Sequence, residues 1–186
     1  MGFPPKNPPV SGPVNQPGLE TLALAPASGA PEDAGMDDVD VRRARHDDAD
    51  AIAAVYLASF TATYRFPLAH SDEQVRRWIA EVLLPTEEVW VVTDPDQAAV
   101  AMMALSSEML DQLYVAPGRT GRGIGSRLIE LAKSRRPGGL DLYTFQVNPG
   151  ARRFYERHGF VEVARGDGSD NEEGQPDLRY AWRPSS

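Results

Sequence analysis

From Asp38 onward, apolar and polar residues follow clear local periods. DVDVRRAR (38–45) alternates and predicts a strand. AIAAVYLASF (51–60) carries apolar residues at helical spacing, with Asp47 or Asp48 placed to cap it. SDEQVRRWIAEVLL (71–84) opens on Ser71, Asp72 and Glu73, a helix start, and Pro85 is expected to end it. EVWVVTD and AAVAMMALS predict a hairpin about Asp94-Pro95-Asp96. MLDQLYV (109–115) predicts a further strand, closed by Pro117-Gly118. A helix follows over residues 124–136, with Ile124, Leu128, Leu131 and Ala132 on one face and Arg127, Glu130 and Lys133 off it. Arg135 and Arg136 suit its C-terminal dipole, and Pro137-Gly138 stops it. LDLYTFQV (140–147) predicts a strand, residues 149–158 a short helix, and FVEVAR and DLRYAW two closing strands. This order predicts an α+β fold on a mixed sheet.

Composition divides the chain. The first 36 of its 186 residues hold eight of the sixteen prolines and five glycines, with few aromatic or β-branched residues. Such a segment buries too little apolar surface to offset its ordering entropy, so residues 1–37 are expected to be a disordered tail and residues 38–186 one globular domain. Hydrophobic residues make up 41% of the chain, enough for a core. The absence of cysteine excludes disulfides, thiolate metal sites and a cysteine nucleophile. A net charge of −8 argues against a duplex nucleic-acid partner, which would need a basic surface. No apolar run nears the ~20 residues that span a bilayer. MGFPPKNPPV lacks an apolar signal core, and Lys6 stands where a myristoylation motif wants Ser or Thr. The expectation is a soluble, cytoplasmic protein with no membrane partner, a monomer or homodimer.

GRTGRGIGSRLIE (118–130) places four glycines, Arg119 and Arg122 between a strand and a helix. Glycines let backbone N–H groups approach an anion, and the helix N-terminus adds partial positive charge. Three readings compete. A Walker loop needs Gly-Lys-Ser/Thr at the helix start, and the chain has Gly-Ile-Gly-Ser. A dinucleotide fingerprint fits Gly121 and Gly123 but meets Ser126 at its third glycine. The third reading is a coenzyme A pyrophosphate loop.

LYVAPGRTGRGIGSRLIELA followed by VNPGARRFYERHGFVEV resembles the GNAT (Gcn5-related) N-acetyltransferase family, over roughly residues 40–182. The N-x6-Y spacing and FYE-x-x-GF make the likeness specific. Gly123 and Gly125 match the fixed positions of the family loop, and Thr120 departs from its Gln/Arg. The resemblance implies the acyl-CoA N-acyltransferase fold, a central sheet splayed between two roughly parallel strands, here 109–115 and 140–147. It implies acetyl-CoA as cosubstrate, its arm paired with backbone of Leu113, Tyr114 and Val115. Its pyrophosphate would lie on Thr120, Gly121, Arg122, Gly123, Ile124, Gly125 and Ser126. Asn148 matches a CoA-contacting Asn, although Asn148-Pro149 is also a favoured cap pair. Tyr155 matches the general acid that protonates the departing thiolate.

The implied reaction is direct attack of a primary amine on the thioester through a tetrahedral intermediate. The alternative is a CoA-binding sensor or interaction domain of the same fold without catalysis. The Glu that some family members carry five residues before the Asn is Tyr143 here, so Glu108 and Asp111 become the candidate bases. The three histidines show no triad or metal spacing, and no metal is expected. RGDGSDNEEGQPD (165–177) is acidic and reads as a wet loop or a lip that attracts a cationic amine. The aromatic link SFTATYRFPLAHSDE (59–73) is placed, by the resemblance, to shape the acceptor pocket. Small amines, amino acids and protein N-termini all remain open as acceptors.

Overall fold

The computed structural model describes residues 39–184; the expected tail at residues 1–37 lies outside them. Two sheets form. The first runs β1 (Asp40–Arg43), β2 (Glu88–Thr93), β3 (Ala99–Leu105), β4 (Leu110–Val115), antiparallel throughout. The second has the order β5 (Leu140–Phe145), β7 (Asp177–Trp182), β6 (Val161–Gly166), also antiparallel. β3 is a continuous apolar run because both of its faces are covered, Ala101 through Ala104 being fully buried. On one face α4 (Ile124–Arg135) and α5 (Pro149–Arg157) pack Leu128, Ile129 and Phe154 over Leu113, Val115 and Tyr180. On the other, α1 (Ala49–Thr63) and α2 (Asp72–Trp78) bring Ile52, Tyr56 and Val75 onto Val91, Met102 and Tyr114.

Two local expectations need correction. Asp48 stands at the N-cap of α1 but makes no capping bond there. Its carboxylate takes two Arg42 N–H bonds, both 2.8 Å, and the Arg45 amide at 2.6 Å, which fixes the turn joining β1 to α1. Ser71 does cap α2, in a reciprocal pair with Gln74. Pro85 does not end that helix. A π-helical turn, Ile79–Leu83, intervenes, and Pro85 sits inside a last turn, α3 (Leu84–Thr86). Its missing N–H falls where the regular i→i−4 ladder is already interrupted. The wider turn also sends both Ile79 and Leu83 into the core.

The two sheets are joined by backbone where β4 and β5 begin. Met109 bridges Asp141 in parallel fashion, and the Asp141 amide donates to the Glu108 carbonyl at 2.9 Å. Immediately afterwards β4 carries a bulge: Leu105 faces Leu110, Ala104 faces Gln112, and Asp111 is the extra residue. A bulge bends and overtwists its strand. From there β4 and β5 diverge, so the expected splay is present and opens toward the glycine loop and α5.

Candidate active site

Ladder alternation decides what β4 offers to this opening. The Ala116 amide bonds the Val100 carbonyl at 2.8 Å, and Tyr114 stands opposite Met102. Alternate residues Leu113 and Val115 therefore turn their backbone groups toward the split. Ser59 Oγ donates to the Val115 carbonyl at 2.8 Å, leaving Leu113 and the Val115 N–H for an incoming strand-like ligand. Tyr114 is a correction to the expected trio: its backbone belongs to β3, and its ring packs 4.7 Å from that of Tyr56.

The glycine loop forms a cleft of about 210 Å³ with α5. Thr120, Gly121, Gly123, Ile124, Gly125 and Ser126 line it, with Phe154 and Arg157 opposite. Gly121 (φ 75°) and Gly123 (φ 78°) lie in the left-handed region, and Gly123 is the N-cap of α4. At Gly125 a Cβ would meet the Phe154 ring at 3.2 Å, so this glycine lets α4 and α5 close together. Charge is arranged differently from the sequence expectation. Arg119 is held by the buried Asp94 at 2.6 Å, Arg122 is exposed, and Arg157, unremarked in the sequence, faces the loop from α5. Ser126 Oγ lies 3.0 Å from His158 Nε2.

Asn148 precedes α5 as its N-cap, and Tyr155 lies within that helix. Asn148 Oδ1 caps α5 by accepting the Ala151 amide at 2.9 Å, and its Nδ2 donates to Tyr64 Oη at 2.9 Å. Both ends of its amide are thus engaged, and the capping reading of Asn148 describes its geometry. Tyr155 is fully buried among Phe154, Phe160 and Tyr180, and its hydroxyl has no hydrogen-bond partner among the described residues. Burial pushes its pKa well above the ordinary phenol range, and the Tyr64 charge adds to this. A buried orphan hydroxyl is costly unless something that accepts its proton visits the site.

Of the two candidate bases, Glu108 lies at the joined end of β4 and β5, on a depression it shares with Pro137, Gly138 and Gly139. Asp111, the bulge residue, is buried and accepts the Ser106 amide at 2.7 Å; burial raises its pKa. It opens with Tyr143 onto a cavity of about 600 Å³ that Asp167, Asp170 and Asp177 also line. A further depression, about 710 Å³ around Glu88, lies elsewhere, with Arg135 and Arg136 already paired to Glu88 at 2.6 and 2.9 Å.

Two segments that the sequence marked only coarsely gain definite partners in the fold. Tyr64 comes from the aromatic link after α1, where its ring meets Phe60 (4.8 Å), Phe66 (5.1 Å) and Phe145 (5.2 Å). It therefore spans from α1 to the open end of β5, and burial raises its pKa to about 12. The acidic stretch before β7 is folded. Asn171 Nδ2 donates to the Gln175 carbonyl and to Asp177 Oδ2, and Glu172 meets His70 of the α1–α2 link at 2.6 Å. Aromatic density was the signal for Tyr64. For the acidic stretch, only composition was visible.

A split between parallel strands beside a glycine-headed helix is the architecture of the acyl-CoA N-acyltransferases. A family model described as an acetyltransferase (GNAT) domain matches residues 85–162. The peptidyl-lysine N-acetyltransferase YjaB of Salmonella typhimurium is 32% identical over 133 residues, covering 71% of this chain and 90% of that protein. YjaB of Escherichia coli is 28% identical over 77% of this chain and 97% of that protein. The solution structure of apo YjaB from Escherichia coli gives a TM-score of 0.66 and covers 79% of this chain and 99% of that one. The PaiA N-acetyltransferase of Thermoplasma acidophilum, in complex with coenzyme A, shares the fold at 18% identity with a TM-score of 0.59, over 78% of this chain and 98% of that one. The chain belongs to the GNAT family and is an N-acetyltransferase.

Proposed function

We propose that this enzyme transfers the acetyl group of acetyl-CoA to the ε-amine of lysine in a peptide or protein. The observation that carries the reading is the orphan hydroxyl of Tyr155, buried on α5 next to Phe154, which lines the loop cleft. The amides of residues 121–126 hold the pyrophosphate, Leu113 and Val115 hold the pantetheine arm, and Tyr155 donates its proton to the departing sulfur. The dry surroundings that keep Tyr155 protonated also disfavour a free thiolate, which keeps the two proton affinities matched. Acetyl-CoA supplies the activated acyl carbon. Asn148 acts through Tyr64, holding that ring against the end of α5. Lysine as acceptor is supported by the named activity of the YjaB relatives and by the carboxylates of the 600 Å³ cavity, which suit a cation.

The test is thiol release from acetyl-CoA with a panel of lysine peptides, with free polyamines as the comparison. Lysine-dependent release with a mass gain of one acetyl group on the peptide is expected. Release with polyamines alone would overturn the acceptor, and no release with any amine would overturn the transferase reading.

A further inference from the structure

We infer that Arg157, the last residue of α5, grips the diphosphate of coenzyme A from the wall opposite the glycine loop and supplies the net positive charge that the loop itself does not carry. The inference rests on the acetyltransferase reading above and adds a binding residue to it.

Two guanidinium groups line the cleft between the loop and α5, those of Arg119 and Arg157. They differ in what holds them. Arg119 donates to Asp94 at 2.6 Å, and Asp94 is only 6% exposed, so this charge is cancelled within the protein. Arg157 is exposed, and its side chain makes no hydrogen bond or ion pair among the described residues. Among the described residues no carboxylate lines the cleft, and Arg122 lies outside the lining. The loop wall thus offers amides and the hydroxyls of Thr120 and Ser126, which are dipoles without net charge.

The last turn of α5 is fixed against the start of α4 on both sides of Arg157. Three residues before it, Phe154 seats its ring over Gly125, where a Cβ would come within 3.2 Å. One residue after it, His158 brings Nε2 to 3.0 Å from Ser126 Oγ and Nδ1 to 3.7 Å from Glu130 Oε1. The Phe154 and His158 rings touch each other at 4.6 Å. Phe154 and Arg157, three apart, share a face of α5, and both line the cleft. The guanidinium therefore stands over the loop on a braced helix end, with its donors unspent.

Charge decides the rest. The chain carries a net charge of −8, which repels a polyanion, so a phosphate ligand needs local positive charge at its seat. A helix start contributes only about half an elementary charge. A planar guanidinium adds a full one and can pair two phosphate oxygens at once. His158 does not fill this role: burial holds its imidazole below the ordinary range, Lys133 and Arg157 lower it further, and Glu130 opposes them. It serves as a neutral brace beside the cation.

The test is calorimetric titration of the full chain with coenzyme A and with dephospho-coenzyme A, which keeps the diphosphate and lacks the 3′-phosphate. Arg157→Gln should weaken both ligands by the same factor, at least about tenfold, with Tm unchanged because the side chain is exposed. Arg157→Lys, which keeps the charge and loses the planar fork, should recover part of the loss. In turnover assays the loss should fall on KM for acetyl-CoA. A penalty with coenzyme A that vanishes with dephospho-coenzyme A would move Arg157 to the 3′-phosphate and overturn the assignment. Unchanged affinity for both ligands, or a lower kcat with KM unchanged, would remove Arg157 from diphosphate binding. A wild-type chain that binds neither ligand overturns the phosphate role of the glycine loop itself, and that of Arg157 with it.

Discussion

At the scale of single residues, the site separates side chains held by the fold from one that is not. Asn148 has both ends of its amide satisfied, while Tyr155 is fully buried with nothing bonded to its hydroxyl. Tyr155→Phe removes only that oxygen. It should lower kcat about 10²-fold while leaving the calorimetric affinity for acetyl-CoA within about twofold. Asp48 is the structural counterpart, with three charge-assisted or amide bonds from Arg42 and Arg45. The Arg42 hydrogen bond holds its carboxyl below the usual range. Its contribution is therefore present above the unfolded pKa of about 4 and lost as pH falls through the lower folded value. Asp48→Ala should cost about 1 kcal/mol at neutral pH, after allowance for solvent screening, and progressively less as pH falls below the unfolded pKa of about 4, by urea denaturation.

At the scale of elements, the loop 118–125 and the start of α4 act as one unit. Gly123 combines a left-handed φ with the N-cap position, so Gly123→Val strains the backbone and adds bulk at the cleft. Coenzyme A affinity should fall at least tenfold in calorimetry; unchanged affinity would make the loop a mere turn. Gly125 serves packing instead, since its open α-carbon receives the Phe154 ring. Gly125→Leu should cost about 1–3 kcal/mol by overpacking and push α5 away from α4, read as a lower Tm. The bulge at Asp111 acts at this scale as well. It ends the pairing of β4 with β5 after a single bridge and so creates the split.

At the scale of the whole molecule, the chain closes its core on both faces of the first sheet with residues from 52 to 180. Removal of residues 1–36 should accordingly leave Tm within about two degrees, measured by calorimetry; a larger fall would assign the tail a packing role. None of the described helices is long and apolar enough to cross a membrane. Around the catalytic end, three remote segments converge: the link after α1, the glycine loop with α5, and the acidic segment before β7.

The local patterns of the sequence determined most elements to within a residue or two, because hydrophobic period and capping chemistry are short-range. They marked the glycine loop and the Asn148 cap, while Tyr155 was marked as a candidate acid by the family resemblance that N-x6-Y carries. What they did not determine were the partners across the fold. Whether Asp48 caps or pairs depended on where Arg42 lies, and whether Tyr114 offers its backbone to a ligand depended on the phase of its ladder with β3. Arg119 looked free until Asp94 came to meet it. Tyr64 is far from Asn148 in the chain and meets it only because α1 and the end of β5 are brought together by the fold. Such contacts are set by strand register and loop closure, which no local window of sequence contains.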